Sequence, residues 1–143
     1  MRYIKWILRI HRTPLLLDIT TGVKEACTIV SRHDDRSPYE IEIKKGDETV
    51  PAVQAKDDFE EALQMLRARL EERNLLLLIN RYRKNAFVSA MARQMSDGKA
   101  CYLVRMGKPF SRRQIAGSFD PAPASKVVTQ READDFLERW INS

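Results

Sequence analysis

Apolar and polar residues alternate in short runs along the N-terminal part of the chain. The segment 3–11 places apolar side chains at every second position, a period that predicts a strand with one buried face. The apolar face consists of Ile4, Trp6, Leu8 and Ile10, and the polar face of Lys5, Arg9 and His11. Further apolar or alternating runs at 15–20, 26–31 and 39–43 are separated by turn residues. We therefore predict an N-terminal antiparallel β-meander over residues 1–55.

The spacing of apolar residues changes to that of a helix after this region. The residues that recur at helical intervals are Phe59, Ala62, Leu63, Leu66 and Leu70. Asp57 and Asp58 would stand at the positive end of the helix dipole, and basic residues follow toward the negative end. The run 75–79 comes next and is wholly apolar, which is typical of a central strand buried on both faces.

Residues 56–143 as a whole are predicted to be a mixed helix and strand part. After the apolar run, the expected elements are a loop at 80–85, a short helix at about 87–95, a turn at 96–99, a strand at 100–106 and one or two helical turns at 111–119. A connector with two prolines spans 120–125. The C-terminal helix, 129–142, begins at a capping box of Thr129 and Glu132. Its predicted buried stripe consists of Ala133, Phe136, Leu137, Trp140 and Ile141.

The order of these elements predicts the fold class. Strands come first and then alternate with helices, so we expect a single α+β domain whose mostly antiparallel sheet has helices packed on one face. A length of 143 residues suits one domain, and 43% hydrophobic with 31% charged residues excludes the disordered and membrane-embedded classes. Cys27 and Cys101 lie in no metal-ligand spacing and are expected to be reduced thiols. We expect a cytoplasmic protein without a transmembrane segment or a membrane partner.

The segment 80–113 concentrates the positive charge of the protein. It contains nine Lys or Arg residues and one acidic residue, Asp97, for a net charge of +8, whereas the whole chain carries +5. If the loops bring these side chains to one rim of the sheet, they form a positive patch that attracts an acidic protein or a polyanion. A solvated basic face without a partner is the third interpretation. The predicted partner-binding residues are Arg81, Tyr82, Arg83, Lys84, Arg93, Arg105, Lys108, Arg112 and Arg113.

The sequence predicts no catalytic residues, no metal site and no cofactor. His11 falls on the polar face of the first strand, where an ordinary surface or edge position is expected. His33 begins the acidic segment 33–35, which is typical of a solvated turn, with a cation site as the alternative. Glycine-rich phosphate-binding motifs are absent from the sequence. Met91 and Met95 stand four residues apart and are predicted to fill the core.

The C-terminal part of the chain carries a spaced set of residues, which are Asn80, Arg83, Ser89, Met91, Met95, Gly98, Tyr102, Gly107 and Lys108. The motif FDPA follows at 119–122, and the sequence FLERW lies in the C-terminal helix at 136–140. Over residues 57–143 this arrangement resembles the immunity proteins of bacterial contact-dependent growth inhibition and related polymorphic toxin systems. The chain departs from the family pattern of Gly, Asp, Tyr, Pro and Gly at Arg81, Asn85, Phe87, Val88 and Ala90.

The resemblance implies a cytoplasmic protein that binds and neutralises a cognate toxin domain, often a nuclease, by stoichiometric contact. Such a protein needs no catalytic residue and no cofactor. Its first candidate anchors are Arg81, Tyr82, Arg83 and Arg93. Either the toxin presents acidic groups to the basic segment, or the inhibitor uses its own acidic helix ends. A nucleic-acid-binding domain that uses residues 81–113 is the alternative function, and an enzyme of unrecognised type is the third.

Overall fold

Strands occupy most of residues 7–55, and helices alternate with strands after that point. The computed structural model describes residues 7–143. Its strands are β1 (Ile7–His11), β2 (Leu15–Asp18), β3 (Lys24–Ala26), β4 (Thr28–Asp34), β5 (Ser37–Lys45), β6 (Glu48–Ala55), β7 (Leu75–Leu77), β8 (Ala86–Phe87), β9 (Ala100–Leu103) and β10 (Ile115–Gly117). Its helices are α1 (Phe59–Glu72), α2 (Ala90–Ser96) and α3 (Gln130–Ile141), with 3-10 turns at Asn80–Tyr82, Arg112–Gln114 and Ala124–Lys126. Within this range no helix combines the length and the apolar character that a membrane crossing requires.

The strands of the described residues form three antiparallel sheets. The largest has the order β1-β4-β5-β6, and the smaller two have the orders β3-β2-β7 and β10-β9-β8. Sheets and helices together make one α+β domain, which confirms the predicted fold class. The predicted N-terminal meander is present only in β4, β5 and β6. Strand β1 pairs with β4, because the hairpin of β2 and β3 turns away to pair with β7.

Helix α1 covers the inner face of the four-stranded sheet. Its apolar residues at the predicted positions 59, 62, 63, 66 and 70 are all buried. They share one core with the sheet residues Ile29, Ile41, Ile43 and Val53. The helix begins where the Asp58 carboxylate accepts a hydrogen bond of 2.9 Å from the backbone amide of Glu61. The predicted amphipathic helix is therefore present, with Asp58 as its N-cap.

The apolar run 75–79 is buried except for the half-buried Leu75, but it does not lie at the centre of a sheet. Strand β7 stands at one edge of its sheet, next to β2. The proline-containing connector lies beside the two residues that follow β7. The Ala122 amide donates to the Leu78 carbonyl at 2.9 Å, and Ile79 forms a bridge with Pro121. The connector thus replaces the second neighbouring strand that the sequence predicts.

Strand β1 turns its apolar face toward solvent. Leu8 is 56% and Ile10 49% exposed. His11 instead packs inward and stacks on Phe119, with ring centroids 5.1 Å apart. The register explains this orientation, because His11 lies directly opposite the fully buried Ile29 of β4. The predicted orientation of this strand is wrong. His11 is half-buried and lies on an edge strand. The first six residues lie outside the described part of the chain.

The segment between β8 and β10 differs from its prediction in two places. Helix α2 begins at Ala90, where the Ser89 hydroxyl accepts a hydrogen bond of 3.0 Å from the Ala92 amide. The residues just before it form β8 and the cap instead of the first helical turn. After Ser111 one 3-10 turn forms, and the chain then enters β10. Pairing with β9 satisfies the backbone of β10, so this segment does not continue as a helix.

Helix α3 begins at the predicted capping box. The Thr129 hydroxyl accepts from the Glu132 amide, and the Glu132 carboxylate accepts from the Thr129 amide. Its predicted buried stripe is only partly buried. Ala133 is buried, three apolar residues are half-buried, and Ile141 is 71% exposed. The helix therefore lies at the margin of the domain.

Candidate functional site

Two of the predicted partner-binding residues lie in the interior. The Arg81 guanidinium donates to both carboxylate oxygens of Glu60, at 2.7 and 2.8 Å. The Tyr82 hydroxyl donates to the backbone carbonyl of Leu63, and burial raises the pKa of Tyr82. An ion pair takes up the Arg81 side chain and the core takes up that of Tyr82, so neither of these predicted residues presents an exposed side chain to a partner.

A third predicted residue, Arg93, joins two helices. Its Nε lies 2.5 Å from one Asp58 carboxylate oxygen, and its other donor lies 3.1 Å from the second. Asp58 also caps α1, so one carboxylate fixes both the start of α1 and the position of α2. Arg93 is partly exposed, but its charge is already paired within the protein. Its first role is to position α2.

Arg83 and Lys84 lie on the turn before β8, on the side of α3. Arg83 is half-buried and reaches the Asn80 side chain at 3.4 Å. Lys84 is exposed, and its ammonium lies 5.6 Å from the centre of the Phe136 ring. Both residues lie on a different segment from the four remaining candidates.

The last four candidates, Arg105, Lys108, Arg112 and Arg113, all lie between β9 and β10. We call residues 104–114 the basic loop. All four side chains are exposed. Within residues 7–143, no ion pair includes any of them. The basic loop thus presents four positive charges to solvent without an internal counter-charge.

An aromatic cluster fixes the basic loop to the sheet. Ile115, Tyr102 and Phe87 are directly paired across β10, β9 and β8, so they lie in one row on the same face. Phe110 of the basic loop packs edge-on against this row, with its ring 4.6 Å from Tyr102 and 6.0 Å from Phe87. Trp140 of α3 also packs on Phe87, at 5.6 Å, and its indole N–H donates to the Lys108 carbonyl at 3.0 Å.

An exposed apolar cleft lies next to the basic loop, between α2 and β10. Its volume is about 400 Å³, and its lining residues are Met91, Ala92, Met95, Ser96, Ala100, Tyr102, Arg112 and Ile115. Met95 is 82%, Ile115 57% and Met91 56% exposed. The Arg112 guanidinium lies 4.0 Å from the Met91 sulfur, so a cation stands at the rim. We call this feature the apolar cleft.

The exposed methionines correct another sequence-based expectation. Met91 and Met95 are predicted as core residues, yet both side chains point to solvent and Ala92 takes the buried position. The signal that could have revealed this is weak. Ala92 and Ser96 are also four residues apart, and two small side chains allow the closer approach of the helix to the domain.

The other residues considered for chemistry have structural roles. The Asp34 carboxylate accepts hydrogen bonds from the amides of Arg36 and Ser37, at 2.8 and 2.6 Å, as in an ordinary turn. His33 stacks on Tyr39 with centroids 3.6 Å apart. In the part of the chain that the structure describes, no group of three or more His, Cys, Asp or Glu residues could hold a metal ion. Both cysteines are buried free thiols.

No model of a known protein family matches this chain, and no curated protein sequence matches it significantly. The resemblance to immunity proteins therefore stays a prediction from the residues at 57–143.

Proposed function

We propose that this protein is an immunity protein that binds and neutralises a cognate bacterial toxin domain by stoichiometric contact. The observation that carries the proposal is the adjacency of the apolar cleft and the basic loop on one side of the β8–β10 sheet. Exposed apolar side chains beside charges without internal partners are typical of a surface that binds another protein. The resemblance of residues 57–143 to immunity proteins supplies the class of partner.

The positive charge of the basic loop indicates which chemical groups the toxin domain should present at the interface. Four cations without internal partners favour an acidic partner surface and accelerate its association. The metal-binding carboxylates of a nuclease active site would be such a surface. The proposed location is the cytoplasm of the toxin-producing bacterium, where an incoming toxin domain acts.

A direct test uses the protein encoded by the gene immediately upstream, which the proposal predicts to contain the toxin domain. Calorimetry should show one-to-one binding, and toxin activity should fall in proportion to added protein until the two are equimolar. A catalytic antidote would instead work at far below one equivalent, and that result would overturn the proposed mechanism. Failure of the two proteins to bind would overturn the proposed function for that pair.

A nucleic-acid-binding domain is the second candidate, and the four exposed cations of the basic loop favour it. Phosphate contacts make affinity fall steeply with salt, because binding releases condensed counterions. We therefore expect only weak binding to an RNA or DNA oligomer of unrelated sequence at physiological salt. Tight, strongly salt-dependent binding that the toxin domain does not displace would favour the nucleic-acid function instead.

A further inference from the structure

The geometry points to the apolar cleft as the anchor of the interface. We infer that it receives one large apolar side chain from the partner protein, next to a partner carboxylate that pairs with Arg112. This inference rests on the proposed function. It identifies the apolar cleft as the part of the surface that contributes most to affinity, and it names the partner groups that bind there.

The walls of the cleft are held in place before any partner binds. Helix α2 is tied at its start by the Ser89 cap and along its length by the Arg93–Asp58 pair. At its end, the Asp97 carboxylate accepts a hydrogen bond of 2.9 Å from the Tyr39 hydroxyl, and the Asp97 carbonyl accepts one from the Phe59 amide. A surface fixed in advance loses little conformational entropy on binding, which favours affinity.

The lining of the cleft suits an apolar side chain of variable shape. Met91 and Met95 are flexible thioethers that adapt to an inserted group. Tyr102 lines the cleft and is mostly buried, whereas Ile115 is well exposed at its edge. A volume of about 400 Å³ is large enough for a Phe, Trp or Leu side chain.

The rim of the cleft favours a protein over a nucleic acid. Nucleic-acid bases bind single-stranded surfaces by stacking on exposed aromatic faces. The exposed walls here are thioethers and an aliphatic side chain, and Phe110 packs edge-on against the aromatic ring of Tyr102. Arg112 lies at the mouth without an internal counter-charge among the described residues, so a carboxylate beside the inserted side chain completes the contact.

A matched pair of substitutions tests the anchor. Ile115→Ala removes part of the cleft wall. Ile19→Ala is the matched control, because Ile19 is similarly exposed but does not belong to the β8–β10 sheet. We expect Ile115→Ala and Met95→Ala each to raise the Kd for the toxin domain by at least about tenfold, since apolar area that is buried on binding is lost. Ile19→Ala should change the Kd by less than about twofold.

Thermal unfolding separates a binding defect from a folding defect. All three side chains are at least 47% exposed, so the variants should melt at nearly the wild-type temperature. Wild-type affinity in both cleft variants, together with weakened binding in a Lys108→Glu variant, would overturn the anchor and leave the proposed function intact. If the wild-type protein itself does not bind the toxin domain, both the anchor and the proposed function are wrong.

Discussion

Arg81 and Glu60 form a bidentate ion pair in the interior of the protein. The two hydrogen bonds are 2.7 and 2.8 Å long, and the side chains are 11% and 8% exposed. The pair joins the segment after β7 to the first turn of α1. A residue that sequence analysis assigns to a partner thus belongs to the framework that holds the surface elements together.

Removing one member of this pair should destabilise the protein strongly. Arg81→Met leaves the Glu60 carboxylate buried without its counter-charge. We expect the free energy of unfolding to fall by about 3–5 kcal/mol, as for other broken buried pairs. Denaturation by urea, followed by circular dichroism, measures the change.

The double variant Arg81→Met/Glu60→Leu is the control for this prediction. Replacing both charges with apolar side chains removes the uncompensated carboxylate, so most of the lost stability should return. If the double variant is no more stable than Arg81→Met alone, the loss of unfolding free energy comes from altered packing and not from an unpaired buried carboxylate.

Gly98 packs directly against the backbone beside the same ion pair. Its φ is +80°, and a Cβ atom there would lie 2.2 Å from the backbone nitrogen of Glu60. Gly98→Ala therefore combines left-handed strain with a backbone collision, and we expect a loss of at least about 3 kcal/mol in unfolding free energy.

Gly46 offers a matched control for the collision. Its φ is +62°, but nothing lies within 4 Å of an added Cβ. Gly46→Ala should cost only the left-handed strain, about 1 kcal/mol. Equal losses in the two variants, measured by urea denaturation, would show that the contact of Gly98 with α1 is not tight.

The parts of the fold that could be predicted from sequence depend on local signals. Helix α1 has a full apolar stripe and an N-cap at Asp58, and α3 has the capping box of Thr129 and Glu132. These signals lie within a few residues of the element that they specify. Both helices are present at the predicted positions for that reason.

The parts that could not be predicted depend on partners far away in sequence. The orientation of β1 follows from its register with β4. The alternation of apolar and polar residues in a strand does not by itself determine which of its two faces is buried. Arg81 is indistinguishable in sequence from the exposed Arg112 until Glu60 is placed opposite it. Of the nine predicted site residues, the four of the basic loop are exposed on one segment, which Phe110 holds on the sheet, and of these Arg112 lines the apolar cleft.

The inward position of His11 predicts a pH dependence of stability. Burial lowers the pKa of His11 below its ordinary value of 6.5, with Asp120 opposing the shift and Arg9 adding to it. The unfolded state therefore binds more protons than the folded state as pH falls through that ordinary value. Stability should decrease in this window and level off below the folded pKa.

The variant His11→Phe isolates this contribution, because it keeps a ring to stack on Phe119 and removes the titrating group. From about pH 7.5 to about pH 5.5, the wild-type protein should lose more unfolding free energy than the variant does. Urea denaturation at the two pH values gives both differences. Equal decreases of unfolding free energy in the wild-type protein and the variant would show that His11 titrates alike in the folded and unfolded states.

The basic loop should control how fast the toxin domain associates. The double variant Arg105→Glu/Arg113→Glu reverses two exposed charges outside the apolar cleft. We expect the association rate constant at low salt to fall by about tenfold or more, since electrostatic steering toward an acidic partner is lost. Stopped-flow mixing measures this rate, and the deficit should shrink as salt screens the charges.

A second double variant separates the position of the charges from the net charge. Arg36→Glu/Arg131→Glu changes the net charge of the protein by the same amount at exposed sites away from the basic loop. Steering depends on charge close to the docking site, because the Debye length is only about 8 Å at physiological salt. The control should therefore slow association much less than the loop variant does. If both double variants slow association equally at physiological salt, the basic loop is not where the partner docks.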